Sequence, residues 1–274
     1  MISINSNPGA LTALEYLNQT QGQLAATENA ISTGETVSSA KDNGAIFAIA
    51  QNMRGDVAGY AAVTESLNNA SSTVDVALSA GQSISNLLIQ MKQQALSASD
   101  TSIDTASRQA LNTNFQALLS QITSVVQNAQ FNGINLINGS TNQIMALASA
   151  DGSHRVTVAA ENMSLGGSIV TVQSTGTIST QAKASTMVAA IETSLNNVDS
   201  ALATLGSGSA KFSIQATFVQ NLSDTLTTGI GNLVDANMAS ESAMLTALQT
   251  KQQLGVQALS IANQAPSIAL SLFR

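Results

Sequence analysis

Two stripes of apolar residues lie near the opposite ends of this chain, each based on a seven-residue interval. They consist of Leu11, Leu14, Leu17, Leu24 and Ile31 near the start, and of Met238, Leu245, Leu248 and Leu259 near the end. This repeat is typical of α-helices that pack along a narrow seam, as in a coiled coil. The remaining residues of both segments are largely polar, so we expect neither segment to fold alone.

The energetics of folding indicate that each terminal stripe needs a packing partner. Ordering a residue costs about 1 to 2 kcal/mol of backbone entropy, whereas a fully buried leucine returns only about 1.5 to 3 kcal/mol. The nearest partner for the first stripe is the C-terminal stripe, but a two-helix hairpin buries only one narrow seam, so neighbouring copies of the chain must cover the rest. An ordinary helical bundle within one chain would show the same stripes, but their placement at both ends favours assembly. A contact of this kind that does not close into a ring produces a helical filament.

Between the two ends, apolar residues recur in steps of three and four, which is typical of α-helices. The longest run extends from Ile46 to Ala98, and no proline lies between Pro8 and Pro266. The pattern therefore predicts one helix, or a stacked pair of helices, of about 50 residues.

Shorter runs of the same kind predict further helices over residues 111–129, 184–205 and 219–233. Polar side chains suited to capping backbone N–H groups precede two of these runs, at Asp100 to Asp104 and at Thr180. We expect the run Gly206-Ser207-Gly208-Ser209 to break the helices on either side of it.

Between about residues 131 and 180 the apolar period changes to two. Asn-Gly and Asp-Gly turn dipeptides surround segments rich in Val, Ile and Thr, at Arg155 to Ala159 and at Ser168 to Gln173. The fold class predicted is therefore mainly α, a long coiled-coil-like helical bundle with a small inserted β-hairpin patch.

Composition excludes several classes of function. The net charge is -7, and the nine Lys and Arg residues are scattered singly, so no basic stripe indicates nucleic acid as a partner. No stretch approaches the roughly 18 consecutive apolar residues of a transmembrane helix, so we expect no membrane insertion and see no cleavable signal. The absence of Cys removes disulfides and thiolate catalysis.

Residues that carry catalysis are equally sparse. His154 is the only histidine and follows the turn dipeptide Asp151-Gly152, where an exposed loop residue is expected. Asp100 and Asp104 are better explained by a helix cap than by an acid/base pair. The sequence has no phosphate-binding glycine motif and no nucleophile elbow. We therefore predict no enzyme activity, no cofactor, and no catalytic or metal site.

Several short segments resemble those of bacterial flagellin, the subunit of the flagellar filament, in the same order and at both ends of the chain. They are Ile31-Ser32-Thr33-Gly34, Ser39-Ala40-Lys41-Asp42, Gln130-Phe131-Asn132-Gly133, and a tail from Ala262 to Phe273-Arg274. The tail is most similar to those of the short flagellins of alphaproteobacteria.

The resemblance implies an inner-tube helix over residues 1–35, an outer-tube helical domain over 36–237, and a second inner-tube helix over 238–274. It implies assembly of many copies into a secreted, extracellular filament used for swimming. It also implies contacts with the flagellar export apparatus, an export chaperone, and the hook-filament junction and cap proteins. A hook-filament junction protein of the same family and a coiled-coil signalling bundle are the alternatives.

One departure from the family pattern concerns recognition by a host. Many flagellins carry Leu-Gln-Arg-Val-Arg-Glu-Leu on an outer helix, where the first Arg helps to dock an innate immune receptor. Here the segment reads Leu88-Ile89-Gln90-Met91-Lys92-Gln93-Gln94. Gln90 lacks the charged guanidinium fork of Arg, and Gln94 replaces a leucine. We therefore expect poor activation of that receptor.

Overall fold

A computed structural model describes the backbone of residues 6–271 and the side chains of residues 6–264. Its elements are α1 (Pro8–Thr33), α2 (Ala40–Ala98), α3 (Thr105–Asn128), β1 (Gln143–Leu147), β2 (Arg155–Ala159), α4 (Gln181–Val234) and α5 (Met238–Ser271). The predicted fold class, mainly helical with a small β-hairpin, is confirmed.

The chain forms two compact units. Of the described residues, 6–55 and 225–271 make up one, which we call the terminal unit, and residues 56–224 make up the other, which we call the central unit. The terminal unit contains α1 and α5, so the two stripes predicted from the sequence lie in the same unit.

The central unit is built around one apolar core. It is lined by helical residues at steps of three and four and by the segments on either side of the β-hairpin. Its largest fully buried side chains include Phe115, Phe212, Leu67, Ile84, Leu88, Met91, Ile122, Met163 and Ile191. Burial of a side chain of this size contributes about 1.5 to 3 kcal/mol.

Helices α3 and α4 begin at the capping residues predicted from the sequence. Asp104 precedes α3, and its carboxylate accepts a hydrogen bond from the backbone N–H of Ser107 at 2.8 Å. Thr180 precedes α4, and its hydroxyl oxygen accepts from the N–H of Lys183 at 3.3 Å. Each cap satisfies a backbone donor that has no partner within its own helix.

The predicted break at residues 206–209 is wrong, because α4 continues through it without interruption. Gly208 is buried against Val158 of β2, where a β-carbon would approach Val158 Cγ2 to 2.8 Å. The buried side chains of Leu205 and Phe212 hold this part of α4 on the core. The glycine therefore permits close packing rather than ending the helix.

The β patch is a two-stranded antiparallel hairpin in which Gln143 pairs with Ala159 and Leu147 with Arg155. The strand over Arg155–Ala159 is confirmed. The sequence pattern does not single out its partner β1, in which Ile144 and Ala146 are buried and Gln143 and Met145 are exposed, as expected of a half-buried strand.

The predicted strand over Ser168 to Gln173 is wrong, because this segment pairs with no other strand. It runs along α4 instead. The backbone N–H of Thr171 donates to Ser194 Oγ at 3.0 Å, and the Thr171 hydroxyl donates to the carbonyl of Ala190 at 3.1 Å. A side chain and a backbone carbonyl of α4 thus replace the ladder bonds of a sheet, while Val170 and Val172 enter the core.

Candidate assembly surface

Helices α1 and α5 pack against each other in the terminal unit. Asn7 caps the start of α1, since its side-chain oxygen accepts from the N–H of Ala10 at 3.1 Å. The same Asn7 donates from Nδ2 to the carbonyl of Ala262, near the far end of α5, at 2.6 Å. The helices are therefore antiparallel, and the Asn7 side chain both caps α1 and links it to α5.

The seam between α1 and α5 follows the predicted repeat. The buried or half-buried positions that recur at this spacing are Ala13, Leu17, Thr20, Leu24, Thr27 and Ile31 on α1, and Leu245, Leu248, Gln252, Gly255, Leu259 and Ala262 on α5. Ala30, beside Ile31, is also buried. Leu17 and Leu248 are buried, whereas Leu24, Ile31, Leu245 and Leu259 are half-buried. The structure thus brings six of the nine predicted assembly residues into one seam.

The other three predicted residues are exposed. Leu11 is 65% exposed, Leu14 43% and Met238 44%. Further large apolar side chains on the two helices are also exposed, namely Tyr16, Met244, Leu254, Val256 and Ile261. The seven-residue repeat identified the seam, but the sequence offered no way to separate seam residues from this exposed apolar surface.

The ends of α1 and α4 are tied together by backbone bonds. The N–H of Thr36 donates to the carbonyl of Val234 at 2.6 Å, and the N–H of Ala236 donates to the carbonyl of Gly34 at 2.8 Å. An ion pair of 2.5 Å between Arg54 and Glu35 adds a side-chain contact to this junction. The chain entering α2 and the chain entering α5 are therefore held together.

The family-motif residues at the start of α2 have a structural role. Asp42 Oδ2 accepts from the N–H of Ser39 at 2.9 Å and from the N–H of Ser38 at 3.2 Å. Hydrogen bonds from the side chain and backbone of Ser39, and then from Ser38, lower the pKa of Asp42. Lys41 beside it is exposed. The carboxylate thus shapes the turn that leads into α2.

The motif from Gln130 to Gly133 forms a tight turn. The backbone groups of Phe131 and Ile134 exchange two hydrogen bonds, at 3.0 and 2.9 Å. Asn132 and Gly133 between them have φ values of 48° and 80°, which is the conformation that favours Asn-Gly in two-residue turns. The motif therefore encodes backbone geometry. Phe273 and Arg274, the last motif positions, lie outside the described residues.

The segment that departs from the receptor-binding motif lies on α2. Gln90 is exposed, whereas Gln94 is half-buried and its side-chain oxygen is buried without a hydrogen-bond partner. A buried polar atom without a partner is unfavourable. His154, as expected, is exposed.

Two other kinds of site are absent from the described residues. Within residues 6–264, no three His, Asp or Glu side chains lie close enough together to hold a metal ion. Among the helices so described, none is long and apolar enough to cross a membrane.

Comparison with known proteins identifies the family. The family model for the bacterial flagellin N-terminal helical region matches residues 4–142, and that for the C-terminal helical region matches residues 188–273. Flagellins FljM and FljK of Caulobacter vibrioides are each 50% identical over 272 residues, covering 99% of this chain and 98% of theirs. A flagellin of Brucella melitensis is 36% identical, with both chains covered completely.

Solved structures share the fold. The crystal structure of Bacillus cereus flagellin aligns with a TM-score of 0.50 at 19% identity, covering 56% of this chain and 88% of that one. A Vibrio parahaemolyticus protein described as flagellar hook-associated aligns with a TM-score of 0.56 at 16% identity, covering 71% and 100%. The family models and the full-length relatives together show that this chain belongs to the bacterial flagellin family, the structural subunits of the flagellar filament.

Proposed function

We propose that copies of this chain polymerise through α1 and α5, and that the polymer is a passive propeller filament without catalytic activity. The observation that carries the proposal is the apolar surface that α1 and α5 leave uncovered. Of the sixteen most exposed large apolar side chains among the described residues, eight lie on these two helices.

The α1–α5 seam alone provides little stabilisation. Several of its positions are Thr, Gly, Ala or Gln, and only Leu17 and Leu248 bury large side chains. Removing apolar surface from water contributes about 25 cal/mol per Å², and large uncovered apolar patches on a protein mark sites of association. A neighbouring copy that covers the exposed side chains supplies the burial that the seam lacks.

The organisation of the polymer belongs to the same proposal. Residues 1–35 and 238–274 form an inner tube, and residues 36–237 form the surrounding layer. The chain is exported through the flagellar export apparatus and escorted by a chaperone, and the filament contacts the junction and cap proteins at its ends. The apolar surface of α5 supports the chaperone contact, because exposed apolar helices need cover before assembly.

Seeded growth tests polymerisation. Purified monomer is mixed with sheared filament fragments and followed by light scattering and electron microscopy, beside a variant that lacks residues 246–274. We expect long filaments from the intact chain and none from the truncated one. Growth of the truncated chain would refute the role of α5, and hydrolysis of peptides or esters by the purified monomer would refute the passive role.

Single substitutions test the seam. Leu245→Asp and Leu259→Asp place a carboxylate in the half-buried α1–α5 seam, where an unpaired charge costs several kcal/mol. We expect the central unit to stay folded while filaments are lost. Thr157→Asp, on an exposed strand position of the central unit, is the matched control and is expected to leave growth intact. Normal filaments from both seam variants would contradict the assignment.

A further inference from the structure

Three asparagines of the chain are followed directly by glycine, at Asn43, Asn132 and Asn138. In such a pair the backbone nitrogen of the glycine can attack the side-chain amide carbon of the asparagine, because glycine has no β-carbon to obstruct the approach. Asparagine is for this reason among the thermally labile residues. The three pairs have different surroundings in the fold, and these surroundings determine which pair can react.

The amide of Asn43 is held at the start of the regular part of α2. Its Oδ1 accepts hydrogen bonds from the backbone N–H groups of Ala45 and Ile46, at 3.2 Å each. Donors in the first turn of a helix have no partner within the helix, so this side chain acts as their cap. The amide carbon cannot turn toward the Gly44 nitrogen unless both bonds open.

The amide of Asn138 is held in the loop before β1. Its Oδ1 accepts from the backbone N–H of Ser140 at 2.9 Å and from the Ser140 hydroxyl at 2.6 Å. The following Gly139 is crowded, since a β-carbon there would lie 2.7 Å from Asn162 Nδ2. Neighbouring residues therefore hold both members of this pair.

The amide of Asn132 has no such constraint. Asn132 and Gly133 are exposed in the two-residue turn between Phe131 and Ile134. Among the described residues, no group forms a hydrogen bond with the Asn132 side chain or with the N–H of Gly133. A β-carbon at Gly133 would meet nothing within 4 Å. The Asn132 side chain can therefore rotate onto the Gly133 nitrogen without breaking a hydrogen bond.

We propose that Asn132 is a site of spontaneous covalent modification, at which the chain loses ammonia through a cyclic imide. The Gly133 nitrogen gives its proton to water and forms a bond to Asn132 Cγ. The bond from Cγ to Nδ2 then breaks, and Nδ2 leaves as ammonia after taking up a proton. Water adds to either carbonyl carbon of the ring and opens it to an aspartate or an isoaspartate. Water is the only co-reactant, and no atom is oxidised or reduced.

Both products change the turn. Asn132 lines the same groove as Glu65 of α2, so a new carboxylate adds a second negative charge there. An isoaspartate also adds one atom to the main chain of a two-residue turn, in which φ of Asn132 is 48° and Phe131 and Ile134 exchange two hydrogen bonds. Because the geometry of such a turn depends on its loop length, we expect the isoaspartate to weaken this pairing.

Ageing of the purified full-length monomer in water labelled with heavy oxygen tests the inference, which is independent of polymerisation. The new carboxyl oxygen comes from the solvent, so the label separates reaction during incubation from any earlier change. The chain is incubated at mildly alkaline pH, either folded or unfolded in urea, and then digested with trypsin in ordinary water. Fragmentation of the peptides by mass spectrometry assigns the label to Asn43, Asn132 or Asn138.

In the folded chain we expect the label at Asn132 to accumulate about tenfold faster, or more, than at Asn43 or Asn138, because two hydrogen bonds must first open at each of these. In urea the three pairs lose their different surroundings, and we expect their rates to converge. Equal rates in the folded chain, or a faster rate at Asn43 or Asn138, would overturn the inference. Label that forms at Asn132 only in urea would also overturn it.

Two variants complete the test. Asn132→Gln keeps an amide at the turn but requires a larger ring, so we expect no label at this position and the same melting temperature before and after ageing. Asn138→Gln is the matched control and is expected to leave labelling at Asn132 unchanged. The aged unsubstituted chain is expected to melt at a lower temperature than the fresh chain. An unchanged melting temperature after extensive labelling would refute the effect on the turn.

Discussion

Gly208 of α4 packs directly on Val158 of β2, and a β-carbon on this glycine would approach Val158 Cγ2 to 2.8 Å. Gly206, two residues earlier in the same helix, has nothing within 4 Å of the corresponding position. The two glycines therefore differ in packing although both lie within one helix.

This difference predicts opposite effects of the same substitution. Gly206→Ala is expected to stabilise the chain by about 1 kcal/mol, because alanine favours the helix over glycine by that amount. Gly208→Ala gains the same propensity, but overpacking of a core costs about 1 to 3 kcal/mol, so its net effect is neutral to destabilising. Urea unfolding of both variants measures the difference, and equal stabilities would contradict the packing role of Gly208.

The wrong prediction of a helix break at residues 206–209 shows that a local sequence pattern carries no information about contacts with distant parts of the chain. Glycine and serine favour turns in isolation, but Gly208 of α4 packs on Val158 of β2, which is distant in the chain. The cap residues Asp104 and Thr180 were predictable because their partners are three residues away.

The assembly surface on α1 and α5 could likewise be predicted only in part. A seven-residue repeat indicates which residues share a stripe, so the seam around Leu17 and Leu248 could be identified. Which apolar residues beside the seam stay exposed, as Leu11 and Leu14 do, depends on how α1 packs against α5 in the antiparallel pair. That pairing follows from contacts such as Asn7 to Ala262, which join the two ends of the chain.

The buried Ser194 gives a second test of stability. Its hydroxyl oxygen accepts from the N–H of Thr171 and its hydroxyl group donates to the carbonyl of Ala190. Ser194→Ala leaves the Thr171 N–H without its partner, which costs about 1 to 3 kcal/mol. The neighbouring Thr193→Ala removes only an exposed hydroxyl bond to Ala189 and is expected to be nearly neutral. Thermal unfolding of both variants checks the difference, and equal melting temperatures would refute it.

The loop between β1 and β2 gives a prediction on pH. Asp151 Oδ1 accepts hydrogen bonds from the hydroxyls of Ser149 and Ser153 at 2.5 and 2.9 Å and from the N–H of Ser153 at 3.2 Å. These bonds lower the pKa of Asp151 to about 2, and the bond from the Ser149 hydroxyl makes the largest contribution. Because the pKa is lower in the folded state, the carboxylate stabilises the loop above the unfolded pKa of about 4, and this contribution is lost as pH falls toward 2.

A titration of the Asp151 carboxyl carbon by NMR measures this pKa directly. Ser149→Ala is expected to raise the pKa toward its ordinary value, because it removes the largest contribution. Thr157→Ala, on the exposed face of β2, is expected to leave the pKa unchanged. An ordinary pKa for Asp151 in the unsubstituted chain would show that the serine contacts do not form in solution.

The exposed Gln90 on α2 leads to a prediction about host recognition. In the family motif this position is an Arg that helps to dock an innate immune receptor, and glutamine provides neither the charge nor the paired N–H groups of a guanidinium. We therefore expect the purified monomer to give a weak response in receptor reporter cells. Gln90→Arg is expected to raise the response without loss of stability, because the position is exposed. Gln82→Arg, an exposed position on the same helix, adds the same side chain elsewhere and is expected to have no effect. A strong response to the unsubstituted monomer, or an equal gain from both variants, would refute the role of Gln90.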